Sequence, residues 1–339
     1  MPDVFCYNGG CILYPGAKNR ILTVEVRPVD ELRDYFLGSR ARHYRRAFSR
    51  VGWALTLMLL LTLAGQILLQ ILTAWFAPGL LSRVDVLYLI SGFSTYCIAA
   101  PGALLVLSTL PAPPREGPPR PLTALQAVQL WLLCVGSSYL LNFLTQWVMD
   151  WVSRAQNVSF TDPVDQLGSL SLWVSLPLTC LLGPLVEELC FRRALLERLR
   201  PWGDGFALCA SALLFALFHG NLFQSLYTLS IGLLLGGVAL YTGQLRWAVG
   251  LHAAFNFLSA GLAPLAVALG SVGDLAFTAL VILSMAWTLH WLVYRGEALA
   301  KAARALRWGD GETWGHFLVN PGMTVFLLAI LALTWYNLR

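Results

Sequence analysis

The chain has 339 residues, 57% of them hydrophobic and only 12% charged, with 13 Trp, a mean hydropathy of +0.65 and a formal net charge of +5. A soluble domain carries about a quarter charged residues, so this composition excludes a large soluble core and indicates an all-α, polytopic membrane protein. No stretch interleaves basic and aromatic residues as a nucleic-acid groove requires, so no nucleic-acid partner is expected.

Residues 1–50 are polar and basic and contain no apolar segment after the initiator Met, so a basic cytoplasmic tail without a cleavable signal is expected. Its CYNGGC stretch, Cys6 to Cys11, offers half a metal site but has no second Cys pair or nearby His, and a solvated tail is the simpler reading. A spanning helix needs roughly 20 apolar residues. Candidate spans centre on 52–77, 86–110, 122–150, 169–188, 206–219, 222–242, 247–268, 273–294 and 319–337, giving about eight to nine helices, since 206–219 is short for a full crossing.

The connecting segments punctuate the same scheme. PAPPREGPPRP at 111–121 is a stiff proline-rich linker, PWGDG at 201–205 is a tight turn, and 295–318 is an amphipathic, Trp-containing interfacial loop. The expected organisation is a tail (1–50), two N-terminal spans (51–110), the linker (111–121), a core (122–295), and an interfacial loop with a last span (296–339). With the N-terminus inside and sides alternating, all of the 23 Lys and Arg except Arg83, Arg154 and Arg339 fall on the cytoplasmic side. That places the C-terminus outside. The 7 Cys are odd in number, lack disulfide-like spacing and read as small apolar fillers.

Ionisable side chains near the bilayer interior cost several kcal/mol, so each one within a span is a functional candidate. Glu187, Glu188, His219 and His252 stand out, with Arg192 and His290 nearer an edge. Taken singly, a carboxylate at a helix end can snorkel to water and a lone His can bond a backbone carbonyl. Their spacing argues for more. Residue 203, the centre of PWGDG, is equidistant from Glu187 and His219, so in an antiparallel hairpin both lie about 24 Å along their helices from the turn and can meet. Gly220 and Asn221 form an expected break immediately after His219.

Glu188 and Arg192 lie one helical turn apart and can pair, whereas Glu187 points about 100° away and is free for chemistry. Phe215 shares a face with His219, and His252 with Asn256. A carboxylate, two imidazoles and a carboxamide can hydrolyse a peptide bond: the Glu takes a proton from water, a His passes a proton to the leaving amine, and His252 with Asn256 hydrogen-bonds the oxyanion. No cofactor is required for this, although Glu187, His219 and His252 could also hold a divalent metal such as zinc.

At these positions the chain resembles the CAAX protease and bacteriocin-processing (CPBP, or Abi) family of intramembrane endopeptidases, related to the Ras-converting endopeptidase. The residues that carry the likeness are Glu187-Glu188-Leu-Cys-Phe-Arg192, Phe215-Ala-Leu-Phe-His219 and His252-Ala-Ala-Phe-Asn256, in that order, with Gly232 and Gly236 between the last two. The likeness extends over about residues 120 to 295 and leaves out the two N-terminal spans, the tail and the last span. It implies a catalytic core in helices four to seven, with Glu187 as general base, His219 as its partner, His252 and Asn256 as the oxyanion site, and Glu188, Arg192 and Phe215 in support.

The expected activity is therefore endopeptidase cleavage, in or at the membrane, of a peptide or protein that enters from the cytoplasmic side. The arginine-rich chain without a eukaryotic targeting signal points to a bacterial inner membrane. Two other readings stand beside it: a non-catalytic bacteriocin immunity or peptide-binding scaffold of the same fold, and a transporter using Glu and His as a proton relay. The second would require a repeat symmetry that the sequence lacks.

Overall fold

The computed structural model describes residues 3–7, 10–14, 29–114, 118–160 and 170–338, in two units, Met1–His43 and Tyr44–Arg339. The first unit contains an antiparallel hairpin of β1 (Asp3–Tyr7) and β2 (Gly10–Tyr14) and the start of the long helix α1 (Val29–Phe76). The CYNGGC stretch falls on this hairpin, and its side chains lie outside the described residues. Because α1 begins at Val29, the last part of the basic segment 1–50 is helical.

The second unit is helical: the rest of α1, α2 (Val84–Ser108), α3 (Ala124–Gln156), α4 (Leu172–Trp202), α5 (Asp204–Phe218), α6 (Leu222–Thr242), α7 (Leu245–Ala268), α8 (Ser271–Ala305), α9 (Gly311–Leu318) and α10 (Pro321–Asn337). Seven of these helices are long and apolar enough to cross a membrane, and α9 with α10, bent by 62°, makes an eighth if the pair is one span. The protein is thus a multi-pass membrane protein. The segment expected at 206–219 forms α5, whose 15 residues reach about 22 Å, short of a bilayer's hydrocarbon thickness.

Local chemistry sets the ends of these helices. Thr123 opens α3 with a capping box, its hydroxyl accepting from Gln126 N while Gln126 Oε1 accepts from Thr123 N at 2.9 Å. Gly203 opens α5 at φ 131°, where an added Cβ would lie 2.3 Å from the Arg307 carbonyl, so glycine is needed for both its torsion and its size. That carbonyl accepts from Gly205 N and Phe206 N, satisfying donors that the first turn of α5 leaves open. Asn221 then caps α6 through Phe223 N at 2.9 Å.

Hydrogen bonds tie one end of the bundle together. Arg198 donates to the Leu110 carbonyl at 3.0 Å, Arg120 N to the Thr242 carbonyl at 2.7 Å, and α5 begins at Arg307. Phe48 of α1 packs on Trp202, Phe206 and Phe317 at that same end. Thus α5 leaves this face and α6 returns to it, and the pair adds no net crossing whether or not α5 traverses the whole bilayer. Arg50 and Arg307 lie at this end too, donating to the Thr109 and Pro201 carbonyls.

Candidate active site

Helix α4 carries Glu187 and Glu188 on one α-helical stretch, Gly183–Glu188, between two wide π-type segments, Leu176–Leu182 and Leu189–Leu196. Wide turns interrupt the regular carbonyl ladder and recur at functional sites. Here side chains from other helices meet carbonyls of those segments: Asn256 Nδ2 donates to Thr179 O at 2.8 Å, and Ser211 Oγ to Phe191 O at 2.7 Å. The first contact fixes Asn256 of α7 against α4. The second fixes α5 against α4.

Glu188 is fully buried and has two partners. Its Oε2 lies 3.1 Å from Arg192 Nε, and its Oε1 accepts from His252 Nδ1 at 2.9 Å. Facing an ionised carboxylate, Nδ1 carries the ring proton, so His252 presents Nε2 to the other side. There Nε2 stands 3.8 Å from Glu187 Oε2. The Arg192 guanidinium also lies 4.3 Å from the centre of the Phe215 ring, a cation–π contact in dry surroundings.

Glu187 keeps a quarter of its side chain (25%) exposed, and that part faces a cavity of about 270 Å³. His219, Phe215, His252 and Asn256 line the same cavity. His219 is the C-cap of α5, and its Nδ1 lies 2.8 Å from the Phe215 carbonyl. A ring whose Nδ1–H donates to that carbonyl keeps the Nε2 lone pair for the cavity. The Phe215 ring is edge-on to both imidazoles, with centroids 4.9 Å from His219 and 5.9 Å from His252, and holds them apart.

The structure therefore brings Glu187, His219, His252 and Asn256 around one cavity, with Glu188 and Arg192 buried behind it. His290 lies elsewhere, stacked between Trp287 and Tyr294 on α8. Among the described residues no three His, Cys, Asp or Glu side chains are gathered as a metal ion would need. One imidazole nitrogen of each His is already engaged, by Glu188 and by the Phe215 carbonyl.

Sequence reasoning missed three features of this site. The hydrogen bond from His252 to Glu188 was not foreseen, because spacing along one helix finds Arg192 but not a partner on α7. Tyr88 and Tyr96 of α2 line the cavity from a span outside the expected core. Gln224 and Tyr227 of α6 do so as well. A polar or phenolic side chain inside an apolar span was the available signal for each.

The site thus sets a buried carboxylate that contacts an imidazole beside a second carboxylate open to a cavity between the helices. Residues 169–258, from just before α4 into α7, match the family model described as "Type II CAAX prenyl endopeptidase Rce1-like", so this part of the chain is similar to that branch of the CPBP family. The match indicates a membrane protease and contains every one of the cavity residues named as catalytic candidates. Comparison with curated proteins and with solved structures finds no match.

Proposed function

We propose that this protein is an intramembrane endopeptidase that hydrolyses a peptide bond with water activated by Glu187. The observation that carries the reading is the division of labour between adjacent carboxylates: Glu188 is buried against Arg192 and His252, while Glu187 faces the cavity. In the proposed step Glu187 takes one proton from water as the oxygen attacks the carbonyl carbon. The carbonyl oxygen becomes an oxyanion, met by the amide N–H of Asn256 that Thr179 does not use and by His252. With Nδ1–H committed to Glu188, Nε2 donates to the oxyanion when the ring carries its second proton. Collapse breaks the C–N bond, and the proton held by Glu187 reaches the leaving nitrogen by way of His219 Nε2, yielding one acid and one amine.

The remaining parts of the reading are equally our own. The arginine-rich face shared by Arg198, Arg120 and Arg307 is taken as cytoplasmic by the positive-inside rule, with substrate entering from that side of a bacterial inner membrane. The family description suggests a prenylated C-terminal peptide as one substrate class, with unmodified leader or membrane-protein segments as the other. No metal takes part in the step as written.

The test uses the full chain in detergent with two fluorogenic probes, a farnesylated Cys-aliphatic-aliphatic-X peptide and an unmodified transmembrane peptide. Wild type should cleave at least one, in the presence of a chelator, and Glu187→Gln should not. Cleavage retained by Glu187→Gln would sink the mechanism, and loss on chelation with recovery on adding zinc would replace it with metal-assisted hydrolysis.

A further inference from the structure

Tyr96 reaches the cavity from α2, outside the matched segment 169–258. It sits in a wide π-type turn, Ser94–Ala99, which shifts the register of α2 toward α4. Its phenol rests directly on Gly183: a Cβ added there would lie 2.9 Å from Tyr96 Oη and 3.5 Å from Cζ. Glycine at 183 thus makes the seat for this ring.

Gly183 is one turn before Glu187 on the same face of α4. Side chains on a helix lean toward its N-terminus, so the Glu187 carboxylate leans over the turn on which the Tyr96 hydroxyl rests. Both groups line the cavity, within electrostatic reach of one another. The contrast with Tyr88 is informative. That hydroxyl is 3.0 Å from Thr179 Oγ1, a local partner, whereas no hydrogen bond joins the Tyr96 hydroxyl to any group among the described residues. A phenol placed in a membrane-embedded cavity beside a carboxylate, without a protein partner, has an O–H to give to something in that cavity.

We infer that Tyr96 is a water-holding residue of the site, its O–H donating to the water that Glu187 deprotonates. This rests on the hydrolytic reading above. Water so held donates one proton to Glu187, accepts from Tyr96 on one lone pair and directs the other at the carbonyl carbon. Tyr96 keeps its own proton throughout and exchanges no electrons. Its contribution is orientation, which acts on the chemical step rather than on peptide binding.

The experiment compares wild type, Tyr96→Phe, Gly183→Ala and Glu187→Gln on the two probes named above, with steady-state kinetics and thermal melting of each purified protein. Tyr96→Phe keeps the ring and its packing, so melting should be unchanged while kcat falls about tenfold, the size of one hydrogen bond, and KM stays within about twofold. Gly183→Ala, which pushes the phenol off its seat with the hydroxyl still present, should reproduce the kcat loss. If Tyr96→Phe leaves kcat intact while Glu187→Gln abolishes cleavage, the inference fails and the hydrolytic reading stands. A raised KM at unchanged kcat assigns the hydroxyl to peptide binding and also overturns it, as does a kcat loss that merely tracks a lowered melting temperature. Cleavage by Glu187→Gln, or none by wild type on either probe, overturns the hydrolytic reading and the inference together.

Discussion

Glu188 on α4 accepts a hydrogen bond from His252 Nδ1 on α7 at 2.9 Å, across 64 residues of sequence, while its other oxygen contacts Arg192 on its own helix at 3.1 Å. Both the carboxylate and the guanidinium are buried, and the Arg192 Nε and Nη1 donors have no well-aligned hydrogen-bond acceptor among the described residues. The guanidinium is therefore held mostly by charge and by the Phe215 ring. Glu188 serves two tasks at once, neutralising Arg192 and fixing the tautomer of His252.

These tasks separate by mutation. Glu188→Ala leaves Arg192 buried without its counter-charge, a change that destabilises by about 3–5 kcal/mol, and it also frees the His252 ring. Replacing both partners, Glu188→Leu with Arg192→Met, removes the uncompensated charge and should return melting in detergent to within a few degrees of wild type. Activity should not return with it, because nothing then orients His252. A double variant that recovers both stability and cleavage would show that Glu188 matters only as a counter-ion.

Asn256 provides a second separation, between transition-state and ground-state interactions. One amide N–H is held by the Thr179 carbonyl at 2.8 Å, which aims the other into the cavity. Asn256→Ala should lower kcat by about 100- to 1,000-fold, the usual cost of one oxyanion donor, with KM little changed. Steady-state kinetics on a cleaved probe decide the matter: a loss confined to KM would make Asn256 a peptide-binding residue instead.

How much of this was legible in the sequence depends on the range of each interaction. The Glu188–Arg192 pair, the PWGDG hairpin and the break after His219 follow from helical periodicity and turn chemistry, which act within a few residues. The span positions follow from hydropathy, with two departures: the helix Asp204–Phe218 is short of a full crossing, and Pro321–Asn337 counts as a span only together with Gly311–Leu318 across a 62° bend. Contacts between distant helices leave no such periodic trace. His252 with Glu188, Asn256 with Thr179 and Tyr96 over Gly183 each depend on wide turns in α2 or α4 or on the packing of α7, which spacing within one helix does not encode.

Close helix packing away from the cavity gives a prediction about stability alone. Gly136 of α3 faces α8 so closely that an added Cβ would lie 2.1 Å from the Ser284 carbonyl and 2.3 Å from Thr288 Oγ1. Backbone cannot yield as a flexible side chain does, so Gly136→Ala should cost about 1–3 kcal/mol through separation of α3 from α8. Thermal melting in detergent reads this directly. The kcat of the folded fraction should stay at the wild-type level, because neither helix contributes to the cavity lining.

The last helix reaches the site by a different route. Asn337 near the end of α10 donates from Nδ2 to the Gly220 carbonyl at 2.9 Å, and Leu333 of the same helix would lie 2.7 Å from a Cβ at Gly220. Gly220 stands at φ 58°, next to His219, so α10 clamps the residue whose left-handed turn ends α5 and sets where the imidazole projects. Asn337→Ala removes one hydrogen bond of about 1 kcal/mol and should reduce kcat about fivefold by loosening His219, with little change in melting. Gly220→Ala adds both torsional strain and a clash with Leu333, and should be the more damaging of the two. If Asn337→Ala instead lowers the melting temperature and leaves kcat intact, α10 supports the bundle without positioning His219, and the Rce1-like segment contains all that the chemistry needs apart from Tyr96.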